Sequence, residues 1–306
     1  VAAPTDPATG RYCGRFAPSP TGPLHLGSLL AAVASFLQAR TRGGAWRLRI
    51  EDLDPPRAVA GAADAILRTL EAFGLHWDGE VRYQSGRGDA YAQAVERLRR
   101  TGHVYPCACS RREIADSARA GIEGAVYPGT CRAGVAAGRT ARALRVRTDT
   151  AAITVVDGIQ GPVTLDLARE VGDFVVRRAD GPYAYQLAVV VDDAEDGVTE
   201  VVRGADLLYS THRQIHLQRL LDLPSPRYRH IPVLTDRDGR KLSKSGGDAA
   251  VDPRNPVPTL WRALDLLGQS PPPELHRAPV GELWGWAREH WRIDAVPRVR
   301  SLLLTG

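Results

Sequence analysis

Two segments far apart in the chain carry residues suited to holding and polarising phosphates. Near the start, Pro18-Ser19-Pro20-Thr21-Gly22-Pro23 runs into His25-Leu26-Gly27-Ser28. A helix N-terminus offers unpaired N–H groups and a partial positive charge, so a rigid turn that feeds one makes an anion site. Gly27 would let a nucleotide approach the backbone, and His25 could donate to a phosphate oxygen as charge builds there. Downstream stands Lys241-Leu242-Ser243-Lys244-Ser245, between Asp238-Gly239-Arg240 and Gly246-Gly247. Two lysines on a Gly-flanked loop can close over a triphosphate and stabilise a departing pyrophosphate. Taken singly, the first segment is equally a Pro-rich turn with an incidental histidine, and the second a solvated basic loop.

A third group is made of thiols. Cys107, Cys109 and Cys131 share one window, while Cys13 stands apart. Cysteines grouped in this way in a cytosolic chain point to metal more often than to disulfides. Three thiolates leave a tetrahedral zinc one ligand short. On spacing alone His103 is a candidate for the fourth place, and an inert cluster of buried cysteines is the alternative to any metal.

These residues need elements to position them. Tyr12 to Phe16 reads as a strand, the prolines after it as a tight loop, and Gly27 to Arg40 as a helix from the recurrence of Leu29, Leu30, Val33, Phe36 and Leu37. Trp46 to Ile50 reads as a second strand ending at Glu51 and Asp52, with helices over Val59 to Phe73 and Tyr91 to Leu98. That order implies a parallel sheet with right-handed crossovers. From about Val104 to Asp180 the cysteines and short alternating runs suggest an insertion with antiparallel strands. The continuous apolar run Leu187 to Val191, ending in Asp192-Asp193, is expected to be a strand buried on both faces. A helix over Ser210 to Leu221, a strand near Ile231 to Leu234, and helices over Pro258 to Leu267 and Gly281 to Trp291 complete the expectation.

Composition adds bounds. The chain has 306 residues, 43% hydrophobic and 25% charged, the balance of an ordinary globular protein. No apolar run approaches the length of a membrane span, and nothing near the N-terminus has the pattern of a signal peptide, so a cytoplasmic protein with no membrane partner is expected. A net charge of +5 and a pI near 9.2 suit a polyanionic partner without requiring one.

Together, the strand, the Pro-rich turn, HxGx opening a helix, and KxSKS about two hundred residues later resemble the class I aminoacyl-tRNA synthetases. More narrowly, Gly14-Arg15-Phe16-Ala17-Pro18-Ser19-Pro20-Thr21-Gly22 and Arg49-Ile50-Glu51-Asp52-Leu53-Asp54 are similar to the glutamyl branch. So are Tyr185 to Asp193 and Gly197-Val198-Thr199-Glu200-Val201-Val202-Arg203-Gly204. The resemblance implies an α/β fold: a Rossmann-type doubly wound parallel sheet, an inserted zinc-binding α+β module and a short helical C-terminal tail. The divisions expected are 1–103 and 181–245 for the two halves of the catalytic domain, 104–180 for the insertion and 246–306 for the tail.

Residue roles follow from matching positions. The resemblance implies that Arg15 and Arg203 take the carboxylates of glutamate, which a guanidinium fork fits bidentately. Each could instead serve a structural ion pair. Glu51 would take the α-ammonium with help from Ser19, Ala17 would line the same site, and Tyr185 would cap the side chain. His25, Gly27, Ser28, Lys241, Ser243 and Lys244 would bind ATP, with His25 and Lys244 catalytic alongside Mg²⁺. Leu242 replaces the usual Met of the second signature, a volume-conserving change, and Gln186 stands where Asn is frequent.

Residues 246–306 are too few for the large helical anticodon-binding region of an ordinary glutamyl-tRNA synthetase. The chain therefore resembles the glutamyl-queuosine tRNA(Asp) synthetases, in which a tyrosine completes a single structural zinc site, here Tyr127 with Cys107, Cys109 and Cys131. This resemblance implies ATP, L-glutamate and queuosine-bearing tRNA(Asp) as partners, a monomer, and activation of glutamate without tRNA. A shortened glutamyl-tRNA synthetase acylating the tRNA 3′ end and a non-catalytic tRNA-binding paralogue are the competing readings. A related nucleotidyltransferase would lack the set Arg15, Tyr185 and Arg203.

Overall fold

The computed structural model describes residues 11–148, 152–241 and 250–304. The first part of the chain alternates as β1 (Cys13–Phe16), α1 (Leu26–Arg40), β2 (Ala45–Ile50), α2 (Ala62–Ala72), β3 (Arg82–Tyr83) and α3 (Gly88–Arg100). A middle part follows with β4 (Val104–Cys107), α4 (Arg111–Ser117), β5 (Arg119–Gly121), β6 (Gly124–Val126), β7 (Ala143–Val146), β8 (Ile153–Asp157), β9 (Gly161–Leu165), α5 (Leu167–Glu170) and β10 (Phe174–Arg177). Then come α6 (Tyr185–Glu195), β11 (Glu200–Gly204), α7 (Ser210–Leu220), β12 (Arg227–Ile231), β13 (Val233–Thr235), α8 (Pro256–Leu266), α9 (Val280–His290) and β14 (Ser301–Leu303).

The crossover logic of the sequence holds where it matters. β1 pairs with β2 in parallel, Cys13 opposite Ala45 and Phe16 opposite Leu48, and β2 continues in parallel to β3. β11 and β12 form a second parallel pair, and Thr199 N–H donates to the Cys13 carbonyl at 2.9 Å, which brings β11 beside β1. Parallel strands present their C-terminal ends on one side, so Phe16, Ile50, Gly204 and Ile231 open on a common edge. In the middle part, β7 pairs antiparallel with both β4 and β10, and β8 with β9 forms a hairpin.

Two expected strands differ. Leu187 to Val191 is not a strand but the interior of α6, with every residue from Leu187 to Asp193 buried. A continuous apolar run has no period to distinguish a doubly covered strand from a helix buried all round. Here α6 lies between α3 and α7 over the middle sheet, so all of its faces are covered. The strand near Ile231 to Leu234 is split in two at Pro232, which has no N–H to offer a ladder; β12 pairs with β11, and β13 with β14.

The main core gathers α1, β1, β2, α2, α8 and α9. Phe36 meets Trp46 and Trp284 edge to face at 5.2 and 5.0 Å between ring centroids. The Trp46 indole N–H is satisfied by Ser35 Oγ at 2.9 Å, so its burial leaves no unpaired donor. Fully burying a side chain such as Phe36 stabilises by about 1.5–3 kcal/mol, which ties α1 rigidly to β2 and α9. A second core joins α3, α6 and α7 to β4, β7 and β10, so the middle part of the chain packs directly on the helices that flank it in sequence.

Candidate active site

At the common strand edge lies a cleft of about 690 Å³. Arg15, Ala17 and Ser19 enter it from the end of β1 and the following loop, and Glu51 from the end of β2. His25, Gly27 and Ser28 line it at the start of α1, Tyr185 at the start of α6, Arg203 on β11, and Lys241 after β13. Ser243 and Lys244 lie outside the described residues. The Glu51 N–H donates to the Pro18 carbonyl at 3.0 Å, which fixes the end of β2 against the Pro-rich loop.

His25 is the N-cap of α1, its Nδ1 accepting the Ser28 N–H at 3.3 Å. Capping through Nδ1 leaves Nε2 as the protonated nitrogen, a hydrogen-bond donor. A Cβ on Gly27 would stand 3.0 Å from the His25 ring, so the glycine also leaves that ring its room. After residues 242–249 the chain returns to the same place: Ala250 bridges to His25, and Val251 N–H donates to the Leu24 carbonyl at 3.0 Å. Before them, Lys241 bridges to Thr235 and pairs with Asp206 through Nζ at 2.5 Å. Lys241 and Ala250 are thus both held at the cleft.

Beneath the cleft floor runs a buried charge network. Arg15 meets Asp193 through Nε and Nη2 at 3.3 and 3.4 Å, so the structural ion pair weighed from the sequence does form. Arg49, 1% exposed, sits 2.8 Å from Asp193, 3.4 Å from Glu51 and 3.9 Å from Asp192. Burial alone would push the Asp193 carboxyl up, but Arg15 and Arg49 outweigh it and hold that carboxyl below the ordinary range. Glu51 goes the other way: burial raises it, despite Arg49 and Arg15. Two carboxyls beside the same guanidiniums are therefore driven apart, with Asp193 the committed anion.

Arg203 has a different setting. Its guanidinium donates to His230 Nε2 at 3.0 Å, to Thr211 Oγ1 and Gln214 Oε1 at 2.8 Å each, and to the Tyr185 hydroxyl at 3.4 Å. Gln186, the departure noted in the sequence, holds Gln214 by accepting from its amide at 2.9 Å. Among the described residues, none of the hydrogen-bond partners of Arg203 is a carboxylate. A buried cation surrounded by neutral acceptors is a receptor for an anion. Asp193, His230 and Gln214 were not singled out by sequence reasoning. The only local signal for any of them was an apolar run ending in two adjacent acids.

The thiols of Cys107, Cys109 and Cys131 converge within 4.8 Å of one another, a group that could hold a metal ion. The Tyr127 hydroxyl oxygen lies 3.5 Å from Cys107 Sγ and 3.6 Å from Cys109 Sγ, and it accepts the Cys131 N–H at 2.9 Å. His103, the other candidate by spacing, does not join the cluster. A tetrahedral zinc with thiolate bonds of about 2.3 Å needs sulfurs about 3.8 Å apart, and Cys109 and Cys131 stand 3.6 Å apart. Burial pushes the Cys131 thiol up, but hydrogen bonds from Ala108 N–H and Tyr127 bring it down to about 7, which favours the thiolate a metal requires. Burial pushes the Cys109 thiol and the Tyr127 hydroxyl up, so a metal would itself have to deprotonate them; the spacing of the donor set fits zinc.

Residues 13–255 match the family model described as tRNA synthetases class I (E and Q), catalytic domain. The chain belongs to this family. It is accordingly an enzyme, a ligase. Proteins described as glutamyl-Q tRNA(Asp) synthetase are among its relatives. The one from Aromatoleum aromaticum is 59% identical over 293 residues, covering 96% of this chain and 93% of the relative. Those from Dechloromonas aromatica and Pseudomonas aeruginosa PAO1 are 57% and 52% identical, each match covering 96% of this chain and 98% of the relative. The crystal structure of a glutamate tRNA ligase from Elizabethkingia meningosepticum, in complex with its amino acid, aligns with a TM-score of 0.80 over 97% of this chain and 67% of that one. At 23% identity that likeness concerns the fold, which is the class I glutamyl-tRNA synthetase-like α/β fold. No described helix is long and apolar enough to cross a membrane.

Proposed function

We propose that this enzyme uses ATP to activate glutamate as its adenylate without tRNA, and then transfers the glutamyl group to the queuosine base in the anticodon loop of tRNA(Asp). The observation that carries the reading is the meeting, in one cleft, of a buried guanidinium whose hydrogen-bond partners among the described residues are neutral, a carboxylate, and a helix N-terminus capped by histidine. The relatives named glutamyl-Q tRNA(Asp) synthetase support this choice of acceptor.

In this reading Arg203 and Tyr185 receive the side-chain carboxylate of glutamate, while Glu51 with Ser19 takes the α-ammonium and Arg15 and Ala17 border the same site. The α-carboxylate then attacks the α-phosphorus of ATP in line, and pyrophosphate leaves. His25 donates through Nε2 to a phosphate oxygen, Gly27 and Ser28 border the phosphates at the start of α1, and Lys241, Ser243 and Lys244 stabilise the leaving pyrophosphate. Mg²⁺ bound with ATP would neutralise part of the phosphate charge. A hydroxyl of the modified base then attacks the acyl carbon, forming an ester as the bond to the phosphate breaks and AMP leaves; this attack is intrinsically easy, so no general base is assigned. Residues 1–103 and 181–245 form the catalytic domain in this scheme, 104–180 an inserted module, and 246–306 a tail. Such a reaction belongs where ATP and tRNA are, in the cytoplasm.

The test is ATP–pyrophosphate exchange with L-glutamate and no tRNA. Robust exchange is expected. Exchange only after adding tRNA would instead indicate a shortened glutamyl-tRNA synthetase, and none under either condition a tRNA-binding paralogue. For the thiol cluster, the reading is one structural zinc per chain held by Cys107, Cys109, Cys131 and Tyr127. Elemental analysis of the purified protein should give one zinc, largely lost in Cys131→Ala; a zinc-free wild type that is folded and active would refute it.

A further inference from the structure

Beside Arg203, outside the lining of the cleft, stands a fully buried pair that no signature motif contains. His230, on β12, places Nδ1 2.6 Å from Asp157 Oδ2, and both side chains are 0% exposed. Asp157 ends β8, in the middle part of the chain, so two separate parts of the molecule meet here. Its other oxygen, Oδ1, is saturated by three backbone donors: Ile159 N–H at 2.9 Å, Gln160 N–H at 2.8 Å and His230 N–H at 3.1 Å.

The hydrogen-bond directions leave one arrangement. Asp157 can only accept, so His230 carries its proton on Nδ1, and Nε2 presents a lone pair. That lone pair is what Arg203 Nε–H meets at 3.0 Å, with the Thr211 hydroxyl 3.2 Å from the same nitrogen. Burial holds the imidazole neutral, its pKa lowered to about 4. The ring of Tyr228 stacks on His230, and the Arg203 guanidinium lies 5.4 Å over that same ring.

We propose that Asp157 and His230 are positioning residues for Arg203: the carboxylate locks His230 as the Nδ1–H tautomer, whose bare Nε2 aims the guanidinium into the cleft without neutralising it. A carboxylate in direct contact would orient Arg203 equally well but would cancel the charge that selects an acidic side chain. A neutral imidazole orients and leaves the charge for the substrate, with Asp157 one residue removed. This specificity for an anionic side chain over its amide rests on reading Arg203 as the receptor for the substrate carboxylate.

Asp157→Asn separates orientation from packing, because the substitution is isosteric. The three backbone N–H groups demand an acceptor at Oδ1, so the amide oxygen must occupy that place and the NH₂ must face His230. Nδ1 then becomes the acceptor, the proton moves to Nε2, and two donors confront each other at Arg203. In steady-state exchange the KM for glutamate should rise about tenfold or more, with the KM for ATP within about twofold. His230→Gln, which can place an amide oxygen where Nε2 lies, should recover much of the glutamate affinity lost in His230→Asn. Long-range ¹H–¹⁵N spectra of the full chain, with His230 assigned from the His230→Gln spectrum, read the tautomer directly: Nδ1–H in the wild type and Nε2–H in Asp157→Asn.

An unchanged glutamate KM in a folded Asp157→Asn, or equal rises for glutamate and ATP, would overturn the positioning role. So would the same tautomer in both proteins. The spectra need no substrate. If the wild type shows no glutamate-dependent exchange, the substrate reading fails while the tautomer lock still stands or falls on its own result.

Discussion

Glu51 and Asp193 lie beside the same two guanidiniums, Arg15 and Arg49, and both are buried, so the number of direct arginine contacts decides between them. Asp193 has both arginines in direct contact and stays ionised, whereas Glu51 shares only Arg49 at 3.4 Å and has its carboxyl raised. If Glu51 pairs with the α-ammonium of the substrate, only its ionised form can do so. A raised value means that this form disappears at a higher pH than for an ordinary carboxylate. The KM for glutamate should therefore climb as pH falls, beginning above the usual range near 4.5. Glu51→Gln should show a high KM with little dependence on pH. Measuring exchange between pH 5 and 8 in both proteins decides the point, and the same pH dependence of KM in wild type and Glu51→Gln would remove Glu51 from the ammonium site.

At the scale of an element, α6 is the informative case. Asp192 and Asp193 occupy its last turn, where the partial negative charge of a helix C-terminus works against carboxylates. Arg15, Arg49 and Arg87 offset that cost. Helical geometry also explains how adjacent acids serve one partner: neighbours on a helix are about 100° apart, so both reach Arg49, whereas on a strand they would point to opposite faces. Breaking such a buried pair by removing one member strands the other charges. Asp193→Asn is accordingly expected to cost about 3–5 kcal/mol in urea unfolding. A loss under about 1 kcal/mol would mean that the network is solvated more than its burial implies.

For the whole molecule, the contact between Asp157 and His230 couples folding to pH. An unfolded chain takes up a proton on His230 near 6.5, while the folded protein holds that ring neutral down to about 4. Stability is thus fully present above about pH 6.5 and falls as pH drops toward 4, by roughly 3 kcal/mol for this group. Asp157, held below the ordinary carboxylate range chiefly by His230 against the effect of burial, acts in the same direction at still lower pH. Urea midpoints at pH 7.5, 5.5 and 4.5 should fall in that order, and the fall should be much smaller in His230→Gln. Equal midpoint shifts in the two proteins would assign the effect to other groups.

Much of the site was legible without coordinates, because its chemistry is written in local spacing. The turn that feeds HLGS into a helix, the acid at the end of β2 and the CxC pair with a later cysteine are each set by residues near one another in the chain. The strand–helix–strand order of the first part followed from periodicity, and so did its parallel pairing. What periodicity cannot carry is the identity of a segment buried on every side, and α6 was misread as a strand for that reason. Nor can it carry partners distant in sequence: Arg15 and Asp193 are 178 residues apart, and Asp157 and His230 are 73 apart. Which arginine is neutralised and which is left to receive an anion depends on those long-range contacts in a medium of low polarity. The sequence by itself determined the kind of chemistry and the elements that carry it, and only the tertiary structure decided which charges remain available, because burial and distant partners set that balance.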